Sequence, residues 1–349
     1  MEILEDENLK LLNGNPSIIN FLDALNALQL VNELQKATHI ASATSFKHVT
    51  PSGAALGNKI TTSEISSYNY KNTYKEELTR AYLKARGSDR LASFGDFIAL
   101  SETVQAETAR LIKSEVSDGI IAPGYTAEAL ALLKEKKKGT YCIIEINKDY
   151  LPPTQEKRVV YGFELKQDRN EVIINNESLS NIRTANKGIS DQVIQNLLVG
   201  MITLKYTQSN SISIIYDGHV IGIGSGQQSR IPCSELALSK ANRWYQKTKI
   251  NYDQIAYSKE KISKTEKDNY HDQIRKEEFN ETIMLNELND LCLCSDGFFP
   301  QIDNIELANQ FGIKHIAAPM GSIKDKEIIE TCEKYGMTFI DTGIRLFHH

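Results

Sequence analysis

The chain has 349 residues, of which 41% are hydrophobic and 24% charged, a size and composition that fit a globular protein of about two domains. The formal net charge of -5 argues against a general nucleic-acid or membrane-surface binder, which needs an excess of Lys and Arg. No apolar run reaches the roughly 18 residues of a spanning helix, and the acidic N-terminus is unlike a targeting peptide, so we expect a cytoplasmic protein with no membrane partner. The five cysteines are odd in number and lie mostly in apolar runs, which predicts reduced thiols.

Residues 1–148 alternate predicted helices and strands, which is typical of a layered α/β fold. Asn15 is expected to cap the first helix and Pro16 to open it. The apolar positions of this helix continue to Leu34 and cover a broad face, so we expect it to pack on both sides. The other elements predicted in this block are helices at 75–86, 106–116 and 127–136 and strands at 40–46 and 141–146.

The strand at 40–46 ends in Lys47 and His48, and Pro51 and Gly53 follow closely. A cation beside a side chain of a type that titrates near neutral pH, at the end of a buried strand, is a candidate acid–base pair. The alternative is a surface lysine beside a packed histidine. The dipeptide alone is compatible with both interpretations.

Residues 149–188 contain Pro152-Pro153, many charges and short apolar runs, which predicts a bridging segment with one or two strands. Residues 189–349 return to alternating helices and strands. Within them, Asp217-Gly218 predicts a hairpin turn, and the charged segment 251–281 is interpreted as a helical or mobile insertion with a solvated face. The predicted elements here are helices at 191–205, 234–247, 305–311 and 324–335 and strands at 212–216, 220–224, 291–294, 313–318 and 338–340.

A repeated tripeptide suggests that the two blocks are related. Ser117-Asp118-Gly119 and Ser295-Asp296-Gly297 are each followed by two apolar residues, about half a chain apart. A tripeptide also recurs by chance, so a duplication and a coincidence both stay open.

Several short motifs have more than one interpretation. Gly222-Ile223-Gly224 lacks the full glycine spacing of a dinucleotide site, although the next helix start could hold an anion with Arg230. Arg230 is otherwise an ordinary surface arginine. Neither Pro232-Cys233 nor Cys292-x-Cys294 has zinc-site spacing, so we predict no zinc. Asp303-Asn304 is interpreted first as a helix cap, and the apolar residues around the C-terminal Arg345 favour a docked terminus.

These stretches together resemble one family, the AICAR transformylase part of the bifunctional purine-biosynthesis protein. The resemblance runs from about Leu11 to the last residue. The stretches that carry it are Phe46 to Ala55 (Phe-Lys-His-Val-Thr-Pro-Ser-Gly-Ala-Ala), Ser93 to Phe97, Glu115 to Tyr125, Lys205 to Ser211, Gly222 to Ile231 and Arg345 to His349.

The resemblance implies a three-layer α-β-α fold of two cytidine-deaminase-like lobes without zinc, at 1–148 and 189–349. It implies transfer of the formyl group of 10-formyltetrahydrofolate to the 5-amino group of AICAR ribonucleotide, giving FAICAR on the route to IMP. It also implies a homodimer with active sites between subunits. The IMP cyclohydrolase domain, normally N-terminal, is not expected in this chain, and a requirement for a monovalent cation such as potassium stays open.

The resemblance also assigns roles to single residues. His48 is the expected base, Lys47 the expected cation or proton donor, and Asn210 positions the reacting group. The nucleotide-binding positions are Gly95, Asp118, Arg230, Phe298 and Arg345. The folate-contacting positions are Ile231, Asp303, Ser322 and Ile323.

Three features depart from the family pattern. The family's domain opens with an Arg-Tyr-Gly-x-Asn-Pro segment that helps to hold the nucleotide, and nothing like it precedes Leu11. Pro232 replaces a usual His, and the family's second catalytic Asn has no counterpart that we can place in 251–281. A non-catalytic nucleotide or folate binder is therefore the alternative function. Formylation from formate with ATP is disfavoured because the sequence lacks a P-loop.

Overall fold

The computed structural model describes residues 7–252, 255 and 262–349, and it is a mixed α/β protein. The strands are β1 Leu9–Asn13, β2 Ser42–Lys47, β3 Thr50–Leu56, β4 Asp96–Leu100, β5 Ser117–Ala122, β6 Cys142–Ile146, β7 Gln155–Val160, β8 Phe163–Asp168, β9 Ile212–Tyr216, β10 His219–Gly224, β11 Cys292–Ser295, β12 His315–Ala318 and β13 Thr338–Asp341. The helices are α1 Ile18–Thr38, α2 Thr62–Ser67, α3 Glu77–Gly87, α4 Ala106–Lys113, α5 Ala127–Lys134, α6 Asp191–Lys205, α7 Arg230–Lys249, α8 Lys264–Glu278, α9 Asp303–Gln310 and α10 Asp325–Lys334.

One sheet of 11 strands runs through the molecule in the order β1-β6-β5-β4-β2-β3-β10-β9-β11-β12-β13. The order β3-β2-β4-β5-β6 in the first half is matched strand by strand by β10-β9-β11-β12-β13 in the second. The helices also match, because α1 and α6 precede the paired hairpins and α3 and α7 follow them. The same connection order therefore occurs twice along the chain.

The repeated tripeptide does not mark this repeat. Ser117–Gly119 lie at the start of β5, whereas Ser295 is the last residue of β11. In the strand order, β5 corresponds to β12 and not to β11. The tripeptide match is a coincidence of sequence, and the predicted boundaries of the two lobes stay a prediction.

Helices cover both faces of the sheet. The apolar sides of α1 and α6 pack together on one face, with residues such as Ile144 of β6 beneath them. Neighbouring Ile143 points to the other face, into a core with α3, α4 and α5. Helices α7, α9 and α10 continue that second layer over the other half. This alternation explains why the strands are apolar at consecutive positions, as is typical of sheets buried on both sides.

Helix α1 differs from its prediction in two ways. It begins at Ile18, because Ser17 rather than Asn15 forms a capping box with Asn20. The expectation that it packs on both sides is wrong for its first half in the described chain. There Ile18 is 66% exposed, and Ile19, Leu22 and Leu25 are also exposed.

The bridging segment forms the predicted strands as a separate hairpin. Strands β7 and β8 pair only with each other, and every residue of both is exposed. The exposed side chains include Val159, Tyr161 and Phe163. An isolated two-stranded hairpin is marginally stable in water, so this arm is expected to need a surface to rest on.

The charged insertion is helical at α8, and residues such as Gln273 and Glu277 are solvated as predicted, but the opposite face of the helix is buried. Asp268, Asp272 and Arg275 are buried, and Asp268 forms an ion pair with Arg90. Residues 253–254 and 256–261 of the predicted insertion lie outside the described residues.

Two further helix starts are corrected. Helix α7 begins at Arg230, before the predicted residue 234, and its first residue is buried rather than on the surface. Helix α9 begins at Asp303, so Asp303 lies in its first turn instead of capping it.

Other predictions are confirmed. The Asp217-Gly218 turn joins β9 and β10, and all five cysteines are free and buried. The C-terminus is docked, because the amide of Leu346 donates to the carbonyl of Asp296 at 2.9 Å. None of the described helices has both the length and the apolar character that crossing a membrane requires.

Candidate functional site

The Lys47-His48 pair lies at a tight turn between β2 and β3. His48 and Val49 both adopt left-handed backbone conformations, with φ angles of 57° and 56°. This geometry suits a two-residue hairpin turn, but it is costly for a β-branched residue such as Val49. The turn therefore needs support from outside the hairpin.

Asp23 of α1 supplies that support. It is buried, and its Oδ1 accepts a hydrogen bond from the amide of Val49 at 2.6 Å. Burial raises the pKa of Asp23, while the Val49 amide and the nearby His48 lower it in part. Asp23 was not predicted from the sequence, although an acidic residue within the apolar stretch Leu22-Asp23-Ala24 was a usable signal.

Replacing Asp23 should separate its contribution as a hydrogen-bond acceptor from the contribution of its negative charge. Asp23→Ala removes the acceptor of a partly buried amide, so we expect a loss of roughly 1–3 kcal/mol of folding free energy. Asp23→Asn keeps an acceptor without the charge and should retain most of that stability. Denaturant unfolding of both variants measures this, and equal stability of Asp23→Ala and wild type would contradict the support that we assign to Asp23.

Lys47 and two predicted nucleotide positions lie beside this turn. The Nζ of Lys47 donates to the carbonyl of Phe94 at 2.7 Å. Gly95 follows with a φ of 75°, and a Cβ there would lie 3.9 Å from the Asp118 carboxylate. Asp118 accepts from Lys137 at 2.6 Å, an exposed pair that a ligand can displace at little cost. We call Asp23, Lys47, His48, Gly95 and Asp118 the turn group.

A buried polar network lies beneath the turn group. The Ser45 hydroxyl donates to Asp96 at 2.6 Å, and Arg86 bonds Asp96 at 2.9 Å and Glu115 at 3.0 Å. Burial by itself would raise the pKa of Glu115, but Arg90, Arg86 and Lys264 outweigh it and hold the pKa well below its usual value. The network ties β2, α3 and the start of β4 together, so it fixes the strand end that carries Lys47.

A second set of predicted residues gathers around Arg230. Its Nη2 donates to Oδ1 of Asn210 at 2.9 Å, and its Nη1 donates to the Ser211 carbonyl at 3.2 Å and forms an ion pair with Asp296. The Nδ2 of Asn210 donates to the Gln227 carbonyl at 2.9 Å. These bonds orient the amide of Asn210 and leave it one N–H for a ligand.

Phe298 and Arg345 complete this second set. The guanidinium of Arg345 lies over the ring of Phe298, 5.8 Å from its centroid. Arg345 is exposed, and a Cβ built on Gly321 would lie 3.5 Å from its Nη2. We call Asn210, Arg230, Asp296, Phe298 and Arg345 the arginine group. Asp296 was not predicted as a site residue, although it belongs to the tripeptide that recurs in the sequence.

The predicted folate positions surround the arginine group. Ile231 follows Arg230 directly, and Asp303 starts α9, which packs against α7. Ser322 and Ile323 follow Gly321, and Ile323 is fully exposed.

The turn group and the arginine group lie at the same end of the sheet but do not touch. Strand pairing places the end of β2 level with the starts of β4 and β9. Three strand spacings separate β2 from β9, which corresponds to about 14 Å. No hydrogen bond or ion pair between described residues joins the two groups.

Cys233, which lies next to Asn210, is not suited to act as a nucleophile. Burial raises the pKa of Cys233 to about 12, and its Sγ lies 3.2 Å from the Asn210 carbonyl oxygen. A neutral thiol is a poor nucleophile. Within the ranges that the structure describes, no three His, Cys, Asp or Glu side chains cluster as metal ligands.

Comparisons with known proteins identify the family. The family model described as AICARFT/IMPCHase bienzyme matches residues 3–240. The bifunctional purine biosynthesis protein PurH of Prochlorococcus marinus strain MIT 9312 is 30% identical over 339 residues, which cover 95% of this chain and 53% of that protein. PurH of Staphylococcus haemolyticus strain JCSC1435 is 29% identical over 334 residues, which cover 95% and 54%.

The chain thus spans about half the length of the curated relatives it matches. The family predicted from the sequence motifs is confirmed. The chain belongs to the AICARFT/IMPCHase bienzyme family.

Proposed function

We propose that this protein transfers the formyl group of 10-formyltetrahydrofolate to the 5-amino group of AICAR ribonucleotide, in purine biosynthesis in the cytoplasm. The observation that carries the proposal is the Lys47-His48 turn, which Asp23 holds in a strained conformation next to Gly95 and Asp118. Strained backbone maintained by buried contacts is typical of functional sites. We also interpret the repeated strand order as two cytidine-deaminase-like lobes.

In the proposed reaction, His48 removes the proton of an amine whose lone pair is withdrawn by the ring and the carboxamide. The amine attacks the formyl carbon, and an oxyanion develops on the formyl oxygen. Lys47 stabilises this charge or protonates the departing folate nitrogen. The free N–H of Asn210 orients the reacting formyl or carboxamide group, since its other amide atoms are already held.

The negative charge of the nucleotide would contact cationic side chains, and its rings would contact an aromatic side chain. Arg230 and Arg345 are the cations of the arginine group, and Phe298 offers a ring face beneath Arg345. Guanidinium groups suit a phosphate because they donate in a planar fork. Ile231, Asp303, Ser322 and Ile323 would contact the folate.

We further propose a homodimer in which each active site combines the turn group of one chain with the arginine group of the other. The separation of β2 from β9 within one chain, roughly 14 Å across the sheet, supports this arrangement. So do two exposed apolar surfaces, the first half of α1 and the hairpin of β7 and β8. Apolar surfaces of this extent are typical of interfaces.

Two measurements test the function against its alternative. The purified chain is expected to form FAICAR from AICAR ribonucleotide and 10-formyltetrahydrofolate, and calorimetry is expected to show nucleotide binding. Binding without turnover would favour the alternative function, a non-catalytic nucleotide or folate binder. If the chain showed neither binding nor turnover, both proposals would be rejected.

A further inference from the structure

A separate cleft lies where α7 passes the end of α3 and the helix α8. Its space amounts to about 420 Å³, including the part open to solvent. None of the predicted site residues lines it. The charged residues of its wall are Arg90, Lys240, Arg243, Lys247, Asp89 and Asp272. Arg90 is paired with Glu115 and Asp268, Lys240 lies near Asp89 and Lys247 near Asp272. Among the described residues Arg243 forms no ion pair, so it gives the wall an excess of positive charge.

Two guanidinium groups in this wall have donors without partners. Arg90 is only 5% exposed; its Nε and Nη2 bond Asp268 and Glu115, but its Nη1 has no hydrogen-bond partner among the described residues. The Nε of Arg243 is likewise buried and unpaired there. Leaving a buried donor without an acceptor is unfavourable, so two such side chains in the wall of one cleft indicate that an acceptor occupies it.

The carboxylates near the two lysines of the wall neutralise their positive charge only in part. Lys240 lies 3.4 Å from Asp89, and Lys247 lies 3.7 Å from Asp272, so both pairs are longer than tight ion pairs. Burial lowers the pKa of Lys247 in spite of the nearby carboxylates. The cleft therefore holds poorly compensated positive charge, which an anion would stabilise.

We propose that this cleft binds a small oxyanion, either free phosphate or the phosphoryl group of a small metabolite. An oxyanion presents several acceptors at once, and it can bond two guanidinium groups and an ammonium together. The enclosed part of the cleft is narrow, so it suits a compact group rather than a whole nucleotide. Asp272 of α8 also lines the cleft, so this helix forms part of its wall.

Calorimetric titration of the full chain with inorganic phosphate, in chloride buffer at constant ionic strength, tests the proposal. Saturable binding is expected, and Arg243→Gln should weaken it roughly tenfold or more, the loss expected for a charge-assisted hydrogen bond. Lys249→Gln removes the same charge from the exposed end of α7 and should leave binding unchanged. A titration with ribose 5-phosphate distinguishes the two possible ligands. Tighter binding of the sugar phosphate than of inorganic phosphate indicates the phosphoryl group of a metabolite.

A further variant distinguishes this cleft from the proposed active site. Arg345→Gln alters the exposed arginine over Phe298 and should leave phosphate binding at the cleft intact. Phosphate binding lost in Arg345→Gln but kept in Arg243→Gln would place the ion in the active site and overturn the inference. It would also be overturned if wild type bound neither probe at millimolar concentration. Melting curves verify that each variant is folded.

Discussion

His48→Asn is expected to lower the rate of formyl transfer by roughly 10²-fold or more, the contribution typical of a general acid or base. The proposed reaction needs a base at the amine of AICAR ribonucleotide, and in the turn group His48 is the exposed imidazole. Asparagine is the most suitable substitution because it tolerates a left-handed backbone, and His48 has a φ of 57°. The loss should therefore reflect chemistry and not a disrupted turn.

The chain offers a matched control in His39. This residue is also exposed and also left-handed, with a φ of 59°, at the C-terminal end of α1. His39→Asn should retain normal turnover and a normal melting temperature. Near-normal turnover in His48→Asn, measured as FAICAR formed per enzyme at saturating substrates, would remove His48 from the mechanism.

The sequence motifs name candidate site residues, but they do not name the residues that support them. Lys47, Asn210 and Arg230 each lie in a stretch that resembles a family signature, so the amino-acid sequence alone was enough to name them. Asp23 could not be named in this way, because it supports the turn through a contact between α1 and a residue 26 positions later. A pattern of local periodicity contains no information on such a pairing.

The misplaced starts of α1 and α7 have different causes. Asn15 and Pro16 are good residues for a helix start, but Ser17 has Asn20 three residues later and forms a reciprocal capping box. At α7, the helix begins early, at Arg230, which is held by Asp296 just after the distant strand β11. Competing local signals and long-range ion pairs are not resolved by residue preferences alone.

The exposed apolar surface of α1 could not be predicted from the sequence either. The apolar face of α1 suggested burial on both sides, and apolarity cannot reveal whether the partner is the same chain or another. In the structure the second half of α1 packs on α6, whereas Ile18 and Leu22 face outwards. The distinction matters for function because the proposed sites require a second chain.

Hybrid dimers should reveal whether two chains share each site. A His48→Asn chain and an Arg345→Ala chain, co-expressed with different tags and purified through both, are each expected to be nearly inactive as homodimers. The hybrid places an intact turn group opposite an intact arginine group once per dimer. It should therefore recover about half of the wild-type activity, measured below the KM for the nucleotide.

The control hybrid combines two defects in the same group. A dimer of His48→Asn with Lys47→Ala chains has no intact turn group, so it should stay inactive under the same conditions. If each site were instead built within one chain, the first hybrid would also stay inactive, because each of its chains has one damaged group. Recovery in the first hybrid alone would require that His48 and Arg345 act across the interface, which the roughly 14 Å between β2 and β9 in a single chain also favours.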